Sequence, residues 1–103
     1  MGDAQVIEMY STILSAMGNP RRLAILGLLA DEEVSVRDLA NQVGISQSAL
    51  SQHLAKLRAA GLVSTRREGQ MIFYSSCQAS LVPILSDLSD WLGSTPQPDL
   101  ASF

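Results

Sequence analysis

Cysteine and histidine are almost absent from this 103-residue chain, which has one of each, Cys77 and His53. A single cysteine excludes a disulfide within the chain and a zinc site built from several cysteines. One cysteine and one distant histidine give no sequence signature of a nucleophile paired with a base, and no glycine-rich phosphate loop is present. We therefore predict that the protein is not an enzyme and has no cofactor and no metal site.

Long apolar runs and a strong net charge are also missing. No apolar stretch approaches the roughly 18–20 residues that span a bilayer, and the net charge is only −3. With 47% hydrophobic residues, the chain is too apolar to be disordered. Its N-terminus, MGDAQVIEMYS, lacks the basic start and apolar stretch of a secretion signal. We therefore expect a one-domain cytoplasmic protein with no membrane partner.

The few charges are unevenly distributed along the chain. All seven basic residues lie between positions 21 and 67. In the segment 34–67, five basic residues accompany one acid, Asp38, so this segment carries a charge of +4. The acids lie mostly near the two ends and in the cluster at 31–33. Because a local field steers a charged ligand more than the net charge does, the negative total does not exclude nucleic acid as a partner.

Apolar periodicity predicts helices at both ends of the chain. The spacing of apolar residues predicts a first helix over 4–17. Asn19 suits an N-cap and Pro20 the first helical position, so a second helix is predicted over 20–30. A last helix is predicted over 81–92 from its repeated leucines.

Two short helices in the middle of the chain carry the strongest structural signal. Ser35 is a good N-cap and Gly44 a good terminator for the first of them. Ser46 and Gly61 play the same roles for the second. Two short helices joined by a three-residue turn that contains glycine form the pattern of a helix-turn-helix.

The segment 62–75 changes from helical periodicity to strict alternation, which predicts a β-hairpin. We place its two-residue turn at Glu68-Gly69. This turn puts two cross-strand pairs on one face, Thr65 with Ile72 and Val63 with Tyr74. The tip of the hairpin then carries Arg66 and Arg67.

The predicted helix after Ser46 has one apolar face and one uncharged face. Leu50, Leu54 and Leu57 fall within about 60° of arc and are expected to face the core. The opposite side has small and amide side chains, namely Ser48, Ser51, Gln52, Ala55 and Ala59. Short hydroxyl and amide groups allow close approach to DNA and read base edges. The alternative is that this face packs on another protein, as in a winged-helix protein-interaction module.

Together these elements resemble the ArsR/SmtB family of winged-helix repressors. The resemblance rests on the helical start, on SQSALSQHLAKLRAAGLV at 46–63, and on STRR at 64–67 and FYSS at 73–76, which look like the NolR-type branch. It implies a mainly α fold with a β-hairpin wing, a winged helix-turn-helix that dimerises through its first and last helices. It also implies a sequence-specific regulator of transcription, a homodimeric repressor that binds an imperfect palindrome in double-stranded DNA. We expect 1–92 to form this domain and 93–103 a flexible tail.

The resemblance assigns the DNA contacts to the second helix of the helix-turn-helix and to the wing. The resemblance implies contacts by Gln47, Ser48, Ser51, Gln52, His53, Arg66 and Arg67. We add Ser46 and Lys56 to these predicted DNA-binding residues. His53 lies on the flank of the uncharged face of this helix. It either contacts a phosphate or makes a structural hydrogen bond in a half-buried position. Lys56 is either a phosphate contact or an ordinary solvated residue.

The first and last helices are expected to supply the dimer interface. Its predicted residues are Ile7, Tyr10, Ile13, Leu14, Leu81, Leu85, Leu88 and Trp91. Arg21 and Arg22 begin the second helix, where positive charge is mildly unfavourable. They either form ion pairs with Glu32, Glu33 or a partner chain, or contact phosphate.

Many members of this family sense metals or reactive sulfur, and this chain lacks the residues for it. The family motif CVCDL corresponds to SVRDL at 35–39, in which both cysteines are missing. Asp87 and Asp90 in the last helix have no accompanying histidine, and Gly27 stands where the dithiol branch has a cysteine. Cys77 is then either a packed, idle residue or the redox- or ligand-responsive residue of a sensor repressor. The sequence identifies no inducer.

Overall fold

The computed structural model describes residues 3–77, 79 and 81–93. In chain order its elements are α1 (Ala4–Met17), α2 (Pro20–Leu28), β1 (Val34–Ser35), α3 (Val36–Val43), α4 (Gln47–Ala59), β2 (Val63–Glu68), β3 (Met71–Ser76) and α5 (Val82–Trp91). The three strands form one antiparallel sheet in the order β1-β3-β2. The predicted mainly α fold with a hairpin wing is thereby confirmed. Apart from Gly93, the predicted tail 93–103 lies outside the described residues.

Side-chain caps mark the start of α1, α2, α3 and α4, and those of α2, α3 and α4 are predicted by the sequence, whereas α5 begins after Leu81 without a side-chain cap. Asp3, Asn19, Ser35 and Ser46 each accept a hydrogen bond from a backbone N–H in the first turn of the following helix. These bonds satisfy N–H groups that have no partner within the helix. Gly44 takes φ 78° and ends α3, which sets the sharp turn between α3 and α4. The bounds of α1 match the prediction, whereas α2 ends two residues earlier than predicted, at Leu28.

One apolar core joins the helices to the base of the sheet. Its most deeply buried side chains are Ile25, Leu29, Leu39, Leu50, Leu54, Leu57, Leu62 and Ile84. Three of these leucines belong to α4, and they are the three that the helical wheel places on the core side. Their burial fixes the rotation of α4 about its axis, so the opposite face of this helix is held toward solvent.

The predicted register of the hairpin is wrong by two residues. The turn is Gly69-Gln70, and the observed cross-strand pairs include Val63 with Ser76, Thr65 with Tyr74, Arg67 with Ile72 and Glu68 with Met71. Gly69 takes φ 61°, as the first residue of a tight hairpin turn requires. Because side chains alternate with a period of two, a shift of two residues leaves every side chain on its predicted face.

A third strand, β1, is not predicted by the sequence. Val34 and Ser35 pair with Tyr74 and Phe73 of β3, so β3 is the central strand of the sheet. A strand of two residues has no alternation from which it can be recognised. Its effect is to attach the wing to the segment that leads into α3.

Tyr10 links α1 to α5 through a hydrogen bond and a ring contact. Its hydroxyl donates to Oδ2 of Asp87 at 2.6 Å, and its ring centroid lies 6.0 Å from that of Trp91. The hydrogen bond to the Asp87 carboxylate, together with burial and the negative charge, raises the pKa of Tyr10 above its usual value. The phenol is therefore held in its neutral, donating form.

We expect this link to be lost in alkaline solution. Because the pKa of Tyr10 is raised in the folded protein, its contribution to stability is present below pH of about 10 and is lost as the pH rises through the folded-state value. Trp91 is the only tryptophan, so its fluorescence reports this change. Tyr10→Phe should remove the alkaline transition, and an unchanged transition in this variant would contradict the assignment.

Candidate nucleic-acid interface

The exposed face of α4 presents polar groups that the rest of the protein does not use. Gln47, Ser51 and Gln52 are exposed, and within the described residues their side chains make no hydrogen bond. Ala55 and Ala59 continue the same face with small side chains. Free amide and hydroxyl groups beside small residues allow an approaching ligand to form its own hydrogen bonds with this helix.

The first turn of α4 is held by Ser46, one of the predicted DNA-binding residues. Its Oγ accepts from the backbone N–H of Ala49 at 3.1 Å and lies 3.2 Å from Oγ of Ser48. The structure therefore uses Ser46 as a helix cap. Ser48 remains exposed, and its hydroxyl is oriented by the contact with Ser46.

His53 is half-buried and lies beside an arginine of α2. Nη1 of Arg22 is 3.4 Å from Nδ1 of His53, and Nε of Arg22 donates to the carbonyl oxygen of Ala16 at 2.5 Å. His53 therefore occupies a half-buried position beside Arg22, and its contact with phosphate stays a prediction. Arg21 also contacts backbone, with Nη1 at 3.4 Å from the carbonyl oxygen of Val43. Neither arginine pairs with the acids of the 31–33 cluster among the described residues.

The two wing arginines, predicted to act alike, have different surroundings. Nη2 of Arg66 lies 2.6 Å from Oε1 of Glu33, and Nη1 lies 2.7 Å from Oε2 of Glu68. These hydrogen bonds raise the pKa of Arg66 and lower that of Glu33. Arg67 is exposed and has no such partner within the described part of the chain. The sequence offers Arg21 and Arg22 as partners of Glu33 and does not predict its pairing with Arg66.

A groove between the wing and the helix-turn-helix contains Arg37, which is not among the predicted DNA-binding residues. It is lined by Ser35, Val36, Arg37, Gln47, Gln70, Met71 and Ile72. Arg37 is exposed in the first turn of α3 and brings a positive charge beside Gln47. The signal for Arg37 was present in the sequence, since it is one of the basic residues of the +4 segment. What the sequence does not reveal is that this arginine shares a groove with α4.

The predicted dimer residues divide into two groups. Tyr10 and Ile13 are buried within the protomer, and Leu81, Leu88 and Trp91 are half-buried against its core. The other three remain exposed: Ile7 by 40%, Leu14 by 43% and Leu85 by 65%. Val82 and Leu92 of the same region are also large exposed apolar residues. The first and last helices therefore leave an apolar surface outside the core.

The described residues contain no group of three or more histidine, cysteine or acidic side chains arranged to hold a metal ion. No helix among them is long and apolar enough to cross a membrane. Cys77 is a half-buried free thiol in an apolar groove that Gly27 also lines. Nothing in these surroundings identifies a ligand for that thiol.

Comparison with known proteins places this geometry in a family. The family described as "Bacterial regulatory protein, arsR family" matches residues 19–65. Nodulation protein NolR of Rhizobium meliloti is 57% identical over 86 residues, which are 84% of this chain and 70% of NolR. Transcriptional activator HlyU of Vibrio cholerae is 57% identical over 63 residues, covering 61% of this chain and 58% of HlyU. The crystal structure of NolR from Sinorhizobium fredii superposes with a TM-score of 0.71 at 55% identity, covering 88% of this chain and 91% of that one.

Proposed function

Because this chain belongs to the ArsR family of bacterial regulatory proteins, which makes it a DNA-binding transcription regulator and not an enzyme, we propose that it acts as a homodimeric repressor. Each subunit inserts α4 into a major groove, and the two half-sites lie about one helical turn, or 34 Å, apart on an imperfect palindrome. The bound dimer represses by covering the promoter. Since its partner is chromosomal DNA, the protein acts in the cytoplasm.

The uncharged face of α4 is the observation that carries this proposal. A helix face that is merely solvated usually carries glutamate and lysine, whereas this one exposes Ser48, Ser51 and Gln52, with Gln47 exposed beside it in the first turn. Glutamine pairs through two hydrogen bonds with adenine, and serine bonds to several bases. Because the core leucines hold this face toward solvent, it is preorganised to enter a groove without rearrangement of the fold.

Basic residues around that face supply the contacts to the DNA backbone. Arg37 lies at its N-terminal end, and Lys56 and Arg58 lie in the last turn of α4. Such contacts fix the register of the protein on the duplex without reading sequence. We assign affinity to these charges and base selection to the amides and hydroxyls.

Dimerisation is assigned to the exposed apolar residues of α1 and α5. Ile7, Leu14 and Leu85 lie outside the core of the protomer, and a second copy of the chain would remove them from water. A two-fold symmetric dimer presents two copies of α4, so it reads two inverted half-sites. The negative net charge of the chain does not oppose this, because the basic segment is presented twice.

Selection of bound sequences from a random DNA pool tests the proposal. The wild-type protein should enrich two inverted half-sites separated by about 10–10.5 base pairs from centre to centre. Gln52→Ala should relax the preference at one base position in each half-site by about 1–3 kcal/mol and leave non-specific binding unchanged. Binding competition with operators altered one base pair at a time measures this loss.

Gln5→Ala is the matched control, because it makes the same chemical change at an exposed position of α1. It should keep the base preference of the wild type. If Gln52→Ala keeps every base preference as well, Gln52 is not a reading residue. Failure of the wild type to enrich any sequence would contradict the assignment of base selection to α4.

A further inference from the structure

The two arginines of the wing lie on opposite faces of the sheet. Arg66 is paired with Phe73, and Arg67 is paired with Ile72. Directly opposed residues of an antiparallel pair share a face, and neighbours along a strand alternate between faces. Arg66 therefore lies on the face of Phe73, and Arg67 on the face of Ile72.

The face of Arg67 is the one that looks toward the helix-turn-helix. Tyr74, on the same face as Ile72, packs against the core that anchors α4, and its β1 partner Val34 is buried. Farther along β2, Val63 occupies the same face as Arg67 and is buried in the core. Arg67 thus projects beyond the core on the side of the sheet where the proposed reading helix lies, and its charge is unpaired among the described residues.

The guanidinium of Arg66 is held by two carboxylates on the other face, although half of the side chain remains exposed. Its Nε donates to both carboxylate oxygens of Glu33 at 3.1 Å, its Nη2 contacts the same residue and its Nη1 contacts Glu68. Its Cζ also lies 4.7 Å from the ring centroid of Phe73. Charge-assisted hydrogen bonds of this forked kind are among the strongest and most directional in proteins.

The side chains of Arg66 and Glu33 together bridge the sheet from one edge strand to the other. Arg66 belongs to β2, Phe73 to the central strand, and Glu33 directly precedes β1. Two strand spacings amount to about 9.5 Å, and the side chains of Arg66 and Glu33 cover this distance together, with the guanidinium over the ring of Phe73. Arg66 thereby joins the two outer strands and ties the wing to the loop that leads into α3.

We propose that Arg67 is the phosphate contact of the wing, and that Arg66 is a positioning residue that acts through Glu33 to hold Arg67 against the DNA. The inference rests on the DNA-binding role of the protein. Glu33, although acidic, then supports the binding of a polyanion, because it holds Arg66 in place. Without its tie to Glu33, the wing moves relative to α4 and Arg67 no longer reaches the backbone in a fixed position.

The salt dependence of DNA affinity separates the two arginines. Each phosphate contact contributes a slope of about −0.9 to the plot of log affinity against log salt concentration. Arg67→Gln should reduce the slope by about 0.9 for each subunit. Arg66→Gln should weaken binding several-fold with a smaller change of slope. Arg66→Lys should also weaken binding, because lysine keeps the charge but lacks the planar fork.

A different pattern would overturn the proposal. If Arg66 binds phosphate directly, Arg66→Gln flattens the slope as much as Arg67→Gln does, and Arg66→Lys binds like the wild type. Thermal unfolding followed by circular dichroism establishes that each variant is folded. Absence of binding by the wild type to any duplex at low salt would instead refute the DNA-binding role itself, and that failure is visible without any substitution.

Glu33→Gln and Glu32→Gln provide a matched pair. Both remove one negative charge from the same cluster, but of the two only Glu33 contacts Arg66. Glu33→Gln should weaken DNA binding to the extent that Arg66→Gln does, and the double variant should bind no worse than either single one. Glu32→Gln should bind as tightly as the wild type or slightly more tightly. Tighter binding by Glu33→Gln would show that Glu33 competes with DNA for Arg66, and would overturn the proposal.

Discussion

Replacing Leu85 by aspartate is expected to convert the protein into monomers that bind the operator about 10²–10⁴-fold more weakly, since linked half-site contacts gain affinity of that order. Leu85 is 65% exposed in the protomer, so a carboxylate there is tolerated by the isolated chain. In the proposed dimer the same carboxylate would be taken out of water without a partner, which is unfavourable. Light scattering after size-exclusion chromatography measures the oligomeric state, and fluorescence anisotropy measures the affinity.

The neighbouring Ser86→Asp is the control for this substitution. Ser86 is exposed on α5 and receives the same charge, but it is not one of the apolar residues assigned to the interface. It should leave both the dimer and the affinity intact. Leu88 is a poorer position for such a test, because it is half-buried against the core and a charge there would destabilise the protomer itself. A Leu85→Asp protein that remains a dimer with wild-type affinity would place the interface elsewhere.

Leu54→Ala is expected to lower the stability of the protein strongly. Leu54 is 1% exposed and is one of the three leucines that anchor α4 in the core. Removal of such a side chain costs about 2–5 kcal/mol of the free energy of unfolding, out of a typical total of about 5–15 kcal/mol. In a domain of this size each kcal/mol lowers the melting temperature by about 4–8 °C. Differential scanning calorimetry should therefore show a fall of about 8 °C or more.

Leu23→Ala makes the same chemical change on α2, where the side chain is 51% exposed. Its cost should be well below that of Leu54→Ala, because little apolar area is returned to water. Below its melting temperature, Leu54→Ala should also bind DNA more weakly, since the cavity loosens the anchor of α4. Equal costs for the two variants would contradict the buried position of Leu54.

Local chemistry made much of this fold predictable. Asp3, Asn19, Ser35 and Ser46 are short polar residues directly before apolar periodic segments, and each one caps the helix that follows. The core side of α4 was equally accessible, because three leucines at helical spacing leave only one face for the interior. The caps and the core side of α4 depend only on residues that are close in the sequence. They can therefore be predicted from the sequence alone.

The hairpin register was not predictable in the same way. Two alternative two-residue turns would include Gly69, namely Glu68-Gly69 and Gly69-Gln70. Both orient the side chains of the two strands identically, so alternation cannot choose between them. The choice depends on the pairing of Glu68 with Met71 and on the third strand, whose contacts come from a distant part of the chain.

The partner of Arg66 was hidden for a related reason. Glu33 is 33 positions away in the sequence and stands in a cluster that looks like a solvated loop. Only the pairing of β1 with β3 brings that cluster beside the wing. In the sequence, Arg66 and Arg67 are two adjacent basic residues that nothing distinguishes. In the structure, their side chains lie on opposite faces of the sheet.

The position of β2 at one edge of the sheet has a consequence for how molecules of this protein meet one another. An edge strand offers backbone N–H and C=O groups to which a strand of another chain can add, and this is a route to aggregation. The exposed part of β2 carries Arg66, Arg67 and Glu68 in succession. Charged side chains on an edge oppose such addition. The charged residues of the wing therefore oppose the edge-to-edge association of two molecules.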